Sequence, residues 1–181
     1  MRHSLALHPD SRCNAVTRID VEATRPRSGH LVLRYTVTGK IGELRLPQPM
    51  SSTRTDELWR HTCFEMFLRP PSGDAYYEFN FAPSTQWAAY AFDSYRSGMR
   101  TADEVGAPFI EVQSAAGFYL LQASLDLERL AHVPKDALWR LGLSAVIEEE
   151  SGALSYWALR HPPGRADFHH SDCFALELAS A

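Results

Sequence analysis

Alternation at period two, broken at short intervals by turn residues, constrains this 181-residue chain more than any other feature. Two neighbouring runs carry it most clearly, Cys63–Arg69 and Tyr76–Ala82. Successive side chains of a strand point to opposite faces. The first run therefore sets Phe64, Met66 and Leu68 against Cys63, Glu65, Phe67 and Arg69, and the second sets Tyr77, Phe79 and Phe81 against Tyr76, Glu78 and Asn80. Opposed residues of an antiparallel pair share a face, so uniting the two apolar faces requires paired residue numbers to sum to an odd value. A slip of one residue would put Glu78 in the core.

Two registers meet that condition. A two-residue turn at Ser72-Gly73 sets Glu65 opposite Asn80 and Phe67 opposite Glu78, with Arg69 diagonal to Glu78. A four-residue turn at Pro70–Gly73 sets Glu65 opposite Glu78, which is costly without a cation, a proton or an arginine between them. The first is favoured because each carboxylate gains a neutral or cationic neighbour. In either, Glu65, Glu78 and Asn80 share one side with Tyr76 and Phe67.

The same period marks further strands at Ile19–Thr24, Leu31–Val37, Glu43–Leu46, Trp87–Asp93, Phe109–Ser114, Tyr119–Leu125, Trp139–Glu148, Ser155–Leu159 and Phe174–Leu178. One short helix is expected over Asp126–His132, stopped by Pro134. Pro47–Glu57 and Tyr95–Pro108 read as long loops, which often carry function. About ten strands without alternating helices predict an all-β, antiparallel sandwich of immunoglobulin-like or jelly-roll type. The length suits one domain spanning 1–181.

Composition removes several function classes. A net charge of −4, with Lys40 and Lys135 the only lysines and the arginines scattered, argues against a nucleic-acid partner. No run approaches the roughly 20 apolar residues of a membrane span, and the N-terminal apolar run is too short for a secretory signal. Cys13, Cys63 and Cys173 form no disulfide framework, and Cys63 and Cys173 read as small buried residues in apolar strands. A reduced, cytoplasmic setting is the expectation.

A sheet face mixing carboxylates, an amide and aromatic rings suits a sugar, whose hydroxyls pair with planar polar groups while its ring stacks on an aromatic. The ordinary alternative is a solvated face with a surface ion pair. Glu65 with Glu78 could also mimic a glycosidase pair, whose carboxyls stand roughly 5–9 Å apart. Nothing in the sequence supplies an apolar pocket to raise either pKa, and no Gly-x-Ser-x-Gly, Walker loop or His-Glu-x-x-His motif occurs. A non-catalytic module is the expectation.

The run from Leu58-Trp59 through Phe64-Glu65-Met66-Phe67, then Tyr76-Tyr77-Glu78-Phe79-Asn80-Phe81-Ala82-Pro83 and Trp87, resembles the DOMON-like group, akin to family 9 carbohydrate-binding modules. Tyr156-Trp157-Ala158-Leu159 and Asp167-Phe168-His169 resemble the closing part of its stand-alone bacterial members. The resemblance extends from about Leu31 to Leu178 and implies a sandwich that binds sugars or a b-type haem, with no catalytic residue. A glycan or small-molecule ligand would then meet Trp59, Trp87 and Trp157 as stacking platforms and Glu65, Arg69, Tyr76, Glu78 and Asn80 as further partners, while Trp139 reads as core. For haem, Met66 or Met99 would pair with His61, His161, His169 or His170, although no Cys-x-x-Cys-His attachment exists. No resident cofactor is expected. His161, Asp167 and His169 are the weak metal candidates, with the alternative that these histidines simply tie a loop to the sandwich.

Overall fold

The computed structural model describes residues 2–130 and 132–180. Twelve strands follow one another: β1 (Arg2–Leu7), β2 (Val16–Thr24), β3 (His30–Gly39), β4 (Cys63–Arg69), β5 (Tyr76–Phe81), β6 (Trp87–Phe92), β7 (Arg100–Thr101), β8 (Phe109–Ala115), β9 (Phe118–Asp126), β10 (Trp139–Glu148), β11 (Leu154–Ala158) and β12 (Leu176–Leu178). All their pairings are antiparallel. No helix among the described residues is long and apolar enough to cross a membrane.

The fold is all-β and antiparallel as expected, with its strands joined into one curled sheet, ordered β7-β6-β5-β4-β10-β11-β1-β2-β3-β9-β8, with β12 beside β10. β1 makes the join. Its residues Arg2–Leu5 pair with β2, while Ala6 and Leu7 pair with β11. A strand that passes from one layer to the other is how sheets turn a corner. The two halves face each other across the core: Tyr35 of β3 donates its hydroxyl to the Glu65 carbonyl at 2.7 Å, and the Phe64 and Tyr119 rings stack at 6.1 Å.

That core draws on the inward set of nearly every strand, including Ile19, Val21, Leu31, Leu33, Leu121 and Trp139, and it is continuous. Each such side chain contributes about 1.5–3 kcal/mol when fully buried.

Four local expectations are corrected. Glu43–Leu46 is not a strand: Ile41–Glu43 forms a 3-10 turn and Leu44 makes a single bridge to Glu149, because Gly42 and Pro47 leave too little extended chain to build a ladder. Asp126–His132 is not a helix over its described residues, Ala131 lying outside them. Leu130 N–H donates to Leu127 O at 3.1 Å and Val133 N–H to Leu130 O at 3.2 Å, a pair of tight turns halted by Pro134. Within Tyr95–Pro108, Arg100–Thr101 pairs with β6, and Cys173 ends a 3-10 turn (Ser171–Cys173) outside any strand.

A carboxyl-floored cleft

The hairpin register is Glu65 opposite Asn80 and Phe67 opposite Glu78, the favoured one of the two that the odd-sum rule allows, with residues 70–75 forming a wider connection than the two-residue turn expected. Arg69 does not lie against Glu78. It turns outward to Gly73 O at 3.0 Å and Asp74 at 2.8 Å, within its own hairpin turn, where both groups keep water.

The polar face is not solvated. Glu65, Glu78 and Asn80 are 3%, 4% and 0% exposed. A second apolar cluster covers this side: Phe67, Tyr76, Tyr90 and Phe92 from the sheet, with Phe168 and Phe174 folded over from the segment before β12. Pro162, Pro163 and Gly164 break the chain after β11, which lets residues 165–174 cross the sheet instead of extending it. What remains open between sheet and cover is a cleft of about 360 Å³, within the roughly 300–1,000 Å³ of small-molecule pockets.

Apolar walls come from Trp59, Phe92, Val146, Tyr156 and Phe168, and Met99 and Arg96 stand at the rim. Trp59 lies in a 3-10 turn (Leu58–Arg60) entered through Glu57 at φ 62°, and it meets Tyr90 edge-on at 5.8 Å. Arg96 occupies the third position of the turn Ser94–Ser97, closed by Ser97 N–H to Ser94 O at 3.0 Å, and its φ is 52°. Left-handed backbone at a non-glycine residue costs about 1–2 kcal/mol. Arg96 carries that strain in the cleft lining, and Glu57 carries it at the entry to the Trp59 turn.

Polar groups on the floor form a chain of contacts. Cys63 Sγ donates to Asn80 Oδ1 at 3.5 Å, and Asn80 Nδ2 donates to Glu78 Oε1 at 2.8 Å. Glu78 Oε2 lies 3.7 Å from His169 Nε2. The Arg96 backbone N–H donates to the Tyr76 hydroxyl at 3.2 Å, and that hydroxyl donates to His169 Nδ1 at 2.8 Å. With Nδ1 accepting, the neutral ring carries its proton on Nε2, facing Glu78. Asp167 holds the Arg96 guanidinium at 2.8 Å and the Tyr95 hydroxyl at 2.5 Å.

Glu65 is different. Its Oε1 is buried without any hydrogen-bond partner. Ser144, opposite it on β10, eases its ionisation slightly, yet the hydroxyl lies outside bonding geometry and Ser144 Oγ is unpaired as well. Burial, then the neighbouring Glu78 carboxylate, push the Glu65 carboxyl well above its usual range. Burial also raises Glu78 to about 7, against the pull of Asn80 and Arg96. Enclosed by Phe67, Tyr76 and Phe92, with ring centroids at 5.0, 5.9 and 5.2 Å, His169 is lowered by burial to about 4. Near neutral pH the imidazole is therefore uncharged, and Glu78 is part-protonated.

The structure gathers Trp59, Glu65 and Glu78 at the cleft, with Asn80 and Tyr76 behind them as supports. Trp87 and Trp157 lie elsewhere, each 5% exposed in the main core, Trp87 under Arg54 at 4.5 Å and Trp157 donating to Ser155 at 3.0 Å. Met66 is fully buried in the main core, on the opposite side of β4 from the cleft. His161 bonds Ala6 O at 2.8 Å, and His61 bonds Glu148 at 2.7 Å. Among the described residues no three ligand-type side chains converge on a metal position. Arg96, Phe92, Tyr156 and Phe168 are cleft residues that sequence reasoning did not single out. The long loop after β6 held Arg96, and the motifs of the resemblance held Tyr156 and Phe168 without marking them as ligand contacts.

Beyond the Leu58–Arg60 turn lies a larger hollow of about 650 Å³, whose central carboxylate, Glu148, is already matched by Arg45 at 2.8 Å and His61 at 2.7 Å. Its polar groups are committed to one another. In the smaller cleft Glu65 Oε1 has no such partner.

No family model matches the sequence, and no curated protein matches it. Solved structures do match in shape. A candidate carbohydrate-binding protein from Bacteroides uniformis superposes with a TM-score of 0.71 at 15% identity, over 100% of this chain and 86% of its own. A family 9 carbohydrate-binding module from Caldicellulosiruptor kristjanssonii, in complex with glucose, gives 0.53 at 11% identity over 98% and 84%. The same kind of module with cellotriose gives 0.54 at 10% identity over 97% and 81%. The likeness is one of fold.

Proposed function

We propose that this chain is a non-catalytic, carbohydrate-binding domain of the DOMON-like kind, and that it holds one sugar unit in the carboxyl-floored cleft. The observation that carries the reading is the Glu65 side chain, an unpaired buried acceptor inside a recess with aromatic walls. A buried polar atom without a partner costs about 1–3 kcal/mol, and a bound hydroxyl would remove that cost. Trp59 offers a partly exposed ring for the apolar face of a sugar, and Arg96, His169 and Glu78 offer donors and acceptors around its edge. Structures of similar fold hold glucose and cellotriose, which makes these the first ligands to try.

Calorimetry of the protein against glucose, cellobiose and cellotriose tests the proposal. Saturable binding is expected, weakened at least tenfold by Trp59→Ala. Failure of every neutral and charged sugar to bind would contradict it. Glu78, held near neutrality in an apolar recess, also meets the first requirement of an acid catalyst. Turnover of aryl glycosides that disappears in both Glu65→Gln and Glu78→Gln would replace the binding reading with a hydrolytic one.

A further inference from the structure

The charge at the cleft floor bears on which sugar the cleft takes, an inference that rests on the carbohydrate reading above. Two carboxyls belong to the lining, Glu65 from β4 and Glu78 from β5. The guanidinium of the lining, Arg96, is committed to Asp167 at 2.8 Å. His169, from the covering segment, brings an imidazole that accepts from Tyr76 and so presents an N–H, not a charge, toward Glu78. From β6, Tyr90 faces the same floor with its hydroxyl given to Asp56 at 2.7 Å, from β4 the Cys63 thiol is given to Asn80 at 3.5 Å, and from β10 come the apolar Val146 and the neutral Ser144. Counted over these groups, four carboxyls (Glu65, Glu78, Asp167 and Asp56) meet one guanidinium.

Such a floor repels an anion, because like charges brought together without water cost several kcal/mol. A neutral hydroxyl satisfies Glu65 Oε1 but leaves the two carboxyls in conflict. A protonated amine does both: it donates hydrogen bonds and lets both carboxyls ionise. We propose that the cleft selects an amino sugar, binding it through an ammonium group set between Glu65 and Glu78, and excludes sugar acids. The proton balance follows directly. Where the ligand arrives already as an ammonium ion, the protons held by the two carboxyls leave to buffer, up to one from each.

The test is calorimetry of the full chain at pH 7.0 in two buffers of different ionisation enthalpy. The ligands are methyl glucoside, its 2-amino-2-deoxy and 6-amino-6-deoxy analogues, and methyl glucuronoside. One of the two amines is expected to bind about tenfold tighter than the neutral glycoside. Its heat should differ between buffers in the sense of proton release, and the glucuronoside should show no binding. Glu65→Gln should bring amine and neutral glycoside to within about threefold. Should that variant prove unfolded by its melt, Glu78→Gln is read in its place. Neutral glycoside binding equal to or tighter than both amines would overturn the selection while leaving the sugar site standing. Failure of all four ligands would overturn the selection, and the carbohydrate reading falls with it once every other neutral and charged sugar also fails to bind.

Discussion

Asp20 on one half of the sheet and the Glu65–Glu78 pair on the other are the same chemistry in opposite circumstances. Each carboxyl lies on the outward face of an alternating strand, and each is almost fully buried. Asp20 is matched completely: Ser4, its register partner on β1, donates at 2.6 Å, Arg18 donates Nε at 2.6 Å from the same face of β2, and Arg2 lies at 3.6 Å. The Arg18 hydrogen bond, working against burial, holds its pKa below the usual value. Glu65 and Glu78 are covered by rings instead, and their pKa values rise. Burial alone does not decide the charge of a carboxyl. Its partners do, and the region left short of partners is the one with an open cleft.

The largest test of that contrast is to remove both cleft carboxyls. Each has a folded-state pKa above its unfolded value, so the folded state keeps protons that the unfolded chain releases. Stability is fullest below about pH 4.5 and falls as pH rises, for Glu78 until about 7. Glu65→Gln/Glu78→Gln should therefore raise stability at pH 8 by about 3 kcal/mol in urea melts, with the gain shrinking toward pH 4.5. No gain at pH 8 would mean that the pair is not strained.

Asp20→Ala should act in the other direction, costing about 1–2 kcal/mol at pH 7 because it removes charge-assisted bonds and leaves Ser4 unpaired. The half-exposed guanidinium groups limit the loss. Since the Asp20 pKa is depressed, its contribution exists above about pH 3.8 and disappears as pH falls through the folded value. The acid limb of the stability profile should flatten in this variant and steepen nowhere else.

The smallest expected effect is that of Tyr76→Phe, about 1 kcal/mol in the same melts, from loss of the bond to His169 and of the acceptor for the Arg96 N–H. Its value lies in the readout of His169. Without the tyrosine hydroxyl on Nδ1 the ring is free to turn from Glu78, and sugar affinity should weaken while the apolar cover keeps the histidine pKa low.

How much of this could be read from residues follows the reach of each signal. Period-two alternation is local and strong in Phe64, Met66 and Leu68 and in Tyr77, Phe79 and Phe81, so the hairpin register was legible, with Glu65 and Glu78 on one side. The cover was not. Phe168 sits in an aperiodic segment and Phe174 at the head of the expected last strand, and nothing in their spacing says that they fold over β4 and β5. Arg69 looked like a partner for Glu78 because strand geometry sets it diagonal, but the turn offered Gly73 O and Asp74 nearer its own backbone. Arg96 reaches the cleft through a left-handed turn that its sequence does not announce. The antiparallel, all-β layering was legible, but the join through β1 was not, since its short apolar run gave no sign that it would bridge both halves.

Carboxyl carbon NMR of Glu65 and Glu78, titrated with and without bound sugar, addresses the central claim most directly. The account predicts that both carboxyls titrate above 4.5 in the free protein, Glu78 near 7, and that both titrations move when a sugar fills the cleft. Two ordinary glutamates titrating near 4.5 and indifferent to sugar would contradict it.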